Sequence, residues 1–241
     1  MADTGMSLDG KRVIVIGGAS GIGFAVAELA RAQGAAVVIG SSNEANVKAA
    51  AERVPGATGR TVDLRDEVSV AGFFEALGRF DHLALTAGDW AGSMFGSVRE
   101  LDLVQARQRL EVRFWGVLAA VKHASRTIAQ DGSITLTSGM LAHRPRQGTF
   151  LPTAMGGAVD HLARGLAMDL APVRVNAVSP GIVLTEHVKQ MPEAMLQSFV
   201  APLPVPRGAT PAEAAKAYVY LMLNGYVTGQ TLPVDGGGLL V

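Results

Sequence analysis

The sequence predicts a doubly wound α/β fold, in which a mostly parallel sheet of seven strands carries helices on both faces. Three observations lead there. Short β-branched runs alternate with longer helical patterns along all 241 residues, as in repeated βαβ units. The short runs are apolar without strict in-and-out alternation, as expected when helices cover both faces of a parallel sheet. No linker, repeat or low-complexity stretch interrupts the pattern, and 49% hydrophobic content suffices for a full core, so residues 1–241 are expected to form one domain.

The strands are expected at 13–16, 36–39, 58–62, 82–86, 133–137, 173–178 and 231–234, and the helices at 22–33, 44–53, 67–77, 101–128, 154–170 and 211–223. The sizeable irregular stretch, 184–208, carries Pro192, Pro202, Pro204 and Pro206 and reads as a mobile lid.

Charge and composition narrow the function classes. Lys plus Arg and Asp plus Glu each total 21, so no overall field draws nucleic acid or an anionic membrane. With no Cys, disulfides, thiolate nucleophiles and Cys-ligated metals are excluded, which suits a cytoplasmic protein. Residues 1–8 hold Asp3 and neither a basic start nor an apolar run, so they do not read as a signal peptide. No stretch approaches the roughly 20 apolar residues that cross a bilayer. His82, His123 and His161 have no second ligand at metal spacing, and no metal site is expected.

The first strand runs straight into Gly17-Gly18-Ala19-Ser20-Gly21-Ile22-Gly23 and then a helix. Gly17 permits the tight turn, Gly21 lets a pyrophosphate approach the backbone, and Gly23 lets helix and sheet pack closely. The helix N-terminus offers N–H groups to phosphates. A Rossmann-type dinucleotide site follows, with Ala19, Ser20 and Ile22 completing the turn.

This glycine spacing resembles that of the short-chain dehydrogenases/reductases, with Ile16 where that family usually has Thr. The resemblance covers nearly the whole chain: Asp63-Leu64, Ala87-Gly88 (with Thr86 where Asn is usual), Arg174-Val175-Asn176-Ala177, Ser179-Pro180-Gly181, Thr185, Val227-Thr228-Gly229-Gln230 and Asp235-Gly236-Gly237 follow in order. It implies that Asp63 and Leu64 contact adenine, Ala87 and Gly88 the adenosine side, and Pro180, Gly181, Ile182 and Thr185 the nicotinamide. NAD-specific members carry an acid at the end of the second strand. Here Ser41, Ser42 and Asn43 stand instead, and their hydroxyl and N–H groups suit a 2′-phosphate, so NADP is expected over NAD. Ser42-Asn43 also reads as the N-cap of the next helix.

The resemblance breaks at the catalytic centre. The family's Ser, Tyr, Lys and Asn orient the carbonyl, move the proton, tune the Tyr and hold the relay water. One register puts Gly139, Pro152 and Gly156 at the Ser, Tyr and Lys positions; the next puts Ser138, Leu151 and Met155 there. Tyr218, Tyr220 and Tyr226 all lie far downstream. Arg113 stands in place of Asn, where its charge would support the cofactor or an anionic ligand, or simply lie exposed on its helix. Ser138 is the candidate to orient a carbonyl and His143 the candidate acid–base; Arg144 and Arg146 lie in the same loop. Two readings stay open: an oxidoreductase passing hydride between NADP(H) and a small carbonyl or alcohol substrate, and a non-catalytic dinucleotide-binding sensor or scaffold. The family implies a homo-oligomer, tetramer or dimer, built on 101–128, 154–170 and 230–234.

Overall fold

A computed structural model describes residues 7–88 and 94–241. Most of the 1–8 segment judged for a signal lies outside these. Seven parallel strands, β1 (Arg12–Ile16), β2 (Ala36–Ser41), β3 (Thr58–Thr61), β4 (Phe80–Leu85), β5 (Ile128–Thr137), β6 (Arg174–Pro180) and β7 (Thr231–Val234), form one sheet in the order β3-β2-β1-β4-β5-β6-β7. Every neighbouring pair is parallel. The order reverses between β1 and β4, so the strand ends diverge there and open the crevice in which ligands of such sheets bind.

The helices are α1 (Gly21–Ala32), α2 (Glu44–Arg53), α3 (Glu67–Leu77), α4 (Leu103–Leu110), α5 (Val117–Ala124), α6 (Phe150–Asp169), α7 (Glu193–Val200) and α8 (Pro211–Leu223). On one face α3, α5 and α6 bury Phe73, Phe74, Val121, Val159 and Ala163 against Ile14, Leu83 and Ile134. On the other, α1, α2 and α8 bury Phe24, Val26, Ala50 and Tyr218 against Val13, Val15 and Ile39. Adjacent strand residues thus serve opposite cores, which explains the unbroken apolar runs.

Three expectations change. The long helix expected at 101–128 is two α-helices joined by a π-helical segment, Glu111–Gly116, and it ends at Ala124 because β5 begins at Ile128. Helix α6 starts a turn earlier than 154, at Phe150. Pro152 is tolerated because its missing N–H falls in the first turn, where no intrahelical acceptor exists. The stretch 184–208, read as irregular, contains α7 between its prolines, and the Arg146 guanidinium lies 5.0 Å from the Phe199 ring centroid on that helix.

Several matched residues prove to be struts. The Arg174 guanidinium donates to the carbonyls of Leu221, Met222 and Val227, closing the C-terminus of α8. Asn176 donates through Nδ2 to the Val227 carbonyl at 2.8 Å and accepts from the Gln230 N–H at 3.0 Å. The 174–177 and 227–230 segments are therefore two halves of one clamp that seats β7. No helix among the described residues is long and apolar enough to cross a membrane.

Candidate functional site

The sequence-predicted site residues other than Arg113, which lies on the helical segment Glu111–Gly116, cluster in the turns and helix starts that follow the C-terminal ends of the strands. Gly17 leaves β1 with φ +88°, and its N–H donates to the Gly40 carbonyl at 2.8 Å. A Cβ on Gly17 would stand 2.4 Å from the Ala87 nitrogen, and one on Gly23 would stand 2.2 Å from the Gly17 oxygen and 2.3 Å from Thr86 Oγ1. Close packing of turn, helix and β4 thus demands both glycines. Thr86 Oγ1 donates to the Ile16 carbonyl at 3.1 Å, stitching β1 to β4. Ile16 itself is buried in the core, which accounts for an apolar residue there.

The turn fits a pyrophosphate. Asn43, Asp66, Asp102 and Thr210 cap α2, α3, α4 and α8 through their side chains, whereas Ser20 makes no side-chain cap on α1. The first N–H groups of α1, including those of Gly21 and Ile22 beside Ala19, are left for an anion, with the helix dipole in support. Across from them, a Cβ on Gly21 would lie 3.1 Å from Thr185 Cγ2, so the post-β6 segment closes on the turn. Gly181 is required by Asp235, whose Cα would lie 2.8 Å from a Cβ there; its N–H donates to the Val234 carbonyl, while the Ile182 carbonyl accepts from the Ala209 N–H. Pro180 ends β6 directly before it.

At the adenosine end, Asn43 is spent on capping α2, accepting from the Asn46 N–H at 2.9 Å. Ser41 and Ser42 remain at the end of β2, Ser42 exposed. Asp63 is gripped in a two-pronged pair by Arg65, whose Nε and terminal nitrogen lie 3.0 and 3.1 Å from its two oxygens. Those bonds hold its carboxyl below the usual carboxylate range. Leu64 is buried.

Beyond the end of β4, the Arg113 guanidinium lies against Gly88: a Cβ there would be 2.5 Å from its terminal nitrogen. Arg113 sits in the π-helical segment, a distortion common where a helix must re-aim a side chain at a site. Tyr218, fully buried, has its hydroxyl 2.6 Å from Thr137 Oγ1, which donates to the Leu85 carbonyl. Burial pushes its phenol well above the usual range.

Ser138 is the hydroxyl expected to orient a carbonyl. It is 7% exposed and its Oγ donates to the Gly156 carbonyl at 3.1 Å, so it turns into α6. The residue that opens outward is Gly139, where a Cβ would meet nothing within 4 Å. Alternation decides this, since the backbone just past β5 is still extended at Gly139 and neighbouring residues of an extended chain face opposite ways. The space at the family's Lys position is closed, because a Cβ on Gly156 would touch Ala142 Cβ at 3.0 Å.

His143 follows Ala142, half-exposed, with Nε2 3.0 Å from Oδ2 of Asp160, a side chain only 2% exposed. Asp160 escaped sequence reasoning, although an acid at a buried register of α6, between Val159 and Ala163, signals a charge that needs a partner. A cavity of about 570 Å3 is flanked by Phe95, Val98, Gln147 and Phe150, its two walls joined by the Gly96 N–H donating to the Gly148 carbonyl at 2.9 Å. Among the described residues no three His, Asp or Glu cluster as metal ligands.

Comparison with known proteins agrees with this geometry. The family model described as enoyl-(acyl carrier protein) reductase matches residues 17–238. The short-chain dehydrogenase/reductase ucsE of an Acremonium species is 36% identical over 98% of both chains. A crystal structure of a small-chain dehydrogenase in complex with NADPH is 36% identical, with a TM-score of 0.83 over 96% of this chain and 99% of that one. The MalC reductase/Diels-Alderase of Malbranchea aurantiaca is 31% identical, with a TM-score of 0.89 over 98% and 99%.

Proposed function

Because this chain belongs to the short-chain dehydrogenase/reductase family, and is thus an NAD(P)-dependent oxidoreductase with NADP as its cofactor, we propose that it interconverts a small carbonyl compound and its alcohol without the family's Tyr and Lys. The observation that carries the reading is the pairing of an intact phosphate turn at Gly17, Gly21 and Gly23 with a guanidinium, Arg113, set against Gly88. Bound NADPH supplies the hydride. The Gly21 and Ile22 N–H groups hold its pyrophosphate, Ser41 and Ser42 meet the 2′-phosphate, and Asp63, fixed by Arg65, takes the adenine. Arg113 returns the positive charge that a Lys at position 156 would have placed near the nicotinamide ribose. Pro180, Gly181, Ile182 and Thr185 flank the nicotinamide, and the cavity beside Phe95 and Phe150 favours a substrate with an apolar flank. His143 is the remaining acid–base candidate.

The bare positions Gly139, Pro152 and Gly156 favour a second reading, a nucleotide-binding scaffold without turnover. Titration of ligand-free protein with NADPH and NADH, followed by nicotinamide fluorescence, tests the cofactor site. Tighter NADPH binding is expected, and Arg113→Ala weakens it by roughly tenfold or more, as for a lost charge-assisted contact. Absence of saturable binding refutes the site; binding without reduction of any ketone supports the scaffold. We further propose that residues 1–241 act as one unit and assemble as a homo-oligomer in the cytoplasm. Exposed Leu103 and Val104 on α4, Trp115 in the π-helical segment and Met168 on α6 supply apolar surface for that contact, and light scattering reports it.

A further inference from the structure

Asp160 is a carboxylate the reaction scheme above does not use, in a place where a charge is costly. Its Oδ1 accepts from Thr231 Oγ1 at 3.0 Å. Its Oδ2 is buried, with no aligned hydrogen-bond donor among the described residues. His143 Nε2 stands 3.0 Å away, off the ideal line for a hydrogen bond. The His143 side chain is 44% exposed, so part of the ring stays open to a ligand. The turn that carries His143 rests on α6 because Gly156 has no side chain: Ala142 Cβ occupies the place just beyond a Cβ. Asp160 is one helical turn further on, so Ala142 seated at 156 puts His143 over 160.

Resting on the carbonyl reading above, we propose that Asp160 is a positioning residue that fixes His143 as its Nε2–H tautomer, presenting Nδ1 as the proton donor and acceptor that replaces the missing Tyr. A buried carboxylate aimed at one ring nitrogen sets which nitrogen holds the proton and how the ring is turned. In the reductive direction, the oxygen left negative by hydride addition takes the proton from Nδ1 of the imidazolium. The N–H bond breaks, an O–H bond forms, and the neutral ring keeps its Nε2 proton on Asp160. One H+ from bulk solvent then restores the imidazolium at Nδ1. In oxidation the same nitrogen receives it. Gly156 is then the residue that admits the turn, and its bareness and the loss of Lys have one cause.

The test follows the tautomer and the turnover separately. In 15N-labelled protein, the signals of the five histidines are assigned with His143→Gln, and His143 is expected to show one fixed tautomer with the proton on Nε2. Asp160→Asn offers an amide N–H to that nitrogen and is expected to abolish the signature; Gly156→Ala weakens it. With NADPH and a ketone panel of ethyl acetoacetate, cyclohexanone, 1-tetralone and phenanthrenequinone, Asp160→Asn and His143→Gln are expected to lower kcat by roughly a hundredfold, the scale of a lost general acid. KM and NADPH affinity hold. A His143 ring averaging between tautomers in the wild type, or one unchanged in Asp160→Asn, overturns the proposal. A fixed tautomer with undiminished turnover in His143→Gln overturns the proton-transfer role. Failure of the wild type to reduce any ketone, with NADPH bound and the tautomer fixed, overturns the carbonyl reading and the donor role with it, while the orienting contact stands.

Discussion

Gly23 has no room for a methyl group, since the Gly17 carbonyl and the Thr86 hydroxyl already occupy that volume. Gly23→Ala is therefore expected to push α1 off the turn and to abolish NADPH binding in a fluorescence titration, while far-UV circular dichroism still reports a folded sheet. The glycine spacing disclosed this in advance, because a backbone approach that excludes Cβ leaves its mark in the residue type. Arg113 was legible as a charge in an unusual position, and the structure sets its guanidinium against Gly88. Ser138 was legible as a hydroxyl at the end of β5 but not as one facing α6. Whether 138 or 139 opens outward depends on how the extended backbone leaves β5 in the folded sheet. Asp160 was overlooked because an acid in a helix reads as solvated until the helix's buried face is known.

Among the elements, α8 shows how much stability a helix end can hold. Thr210 and Glu213 form a capping box at its start, with Pro211 at the first position, and the Thr-Pro-x-Glu order announces it locally. Its end has no such local signal. Arg174, from a strand 47 residues upstream, supplies the donors for the Leu221 carbonyl. Arg174→Gln leaves buried carbonyls unpaired and is expected to cost about 2–4 kcal/mol, measured as a lower urea midpoint with unchanged slope. The same contrast explains the expected 101–128 helix. Its apolar period is continuous, so the sequence offers no break. The π-helical segment arises where Gly116 crosses under the Leu64 carbonyl, 2.6 Å from where a Cβ would be, a contact with a distant strand end. The 184–208 stretch misled in the opposite sense: its prolines mark ends and turns, yet Glu193–Val200 between them is a regular helix.

For the molecule as a whole, pH enters through His82, on β4 well away from the candidate site. Its Nδ1 lies 2.9 Å from Ser133 Oγ, and burial, with the nearby Arg174 charge, pushes it down to about 4. The unfolded chain takes up a proton near the ordinary value of about 6.5, so the neutral, buried ring favours the fold above that pH. Its contribution is lost as pH falls from there through about 4, amounting to at most about 3 kcal/mol. Urea unfolding at pH 7.5, 5.5 and 4.5 is expected to show a steeper loss for the wild type than for His82→Gln; parallel losses would contradict it. The sequence by itself determined the sheet, the order of its elements and the phosphate turn, because period, glycine spacing and capping are written among near neighbours. Tertiary structure alone decided which residue just past β5 faces outward, that Arg113 lies against Gly88, and that Asp160 stands under His143. Each of these depends on packing between segments distant in the chain, and no local pattern encodes the face or the partner a side chain finds there.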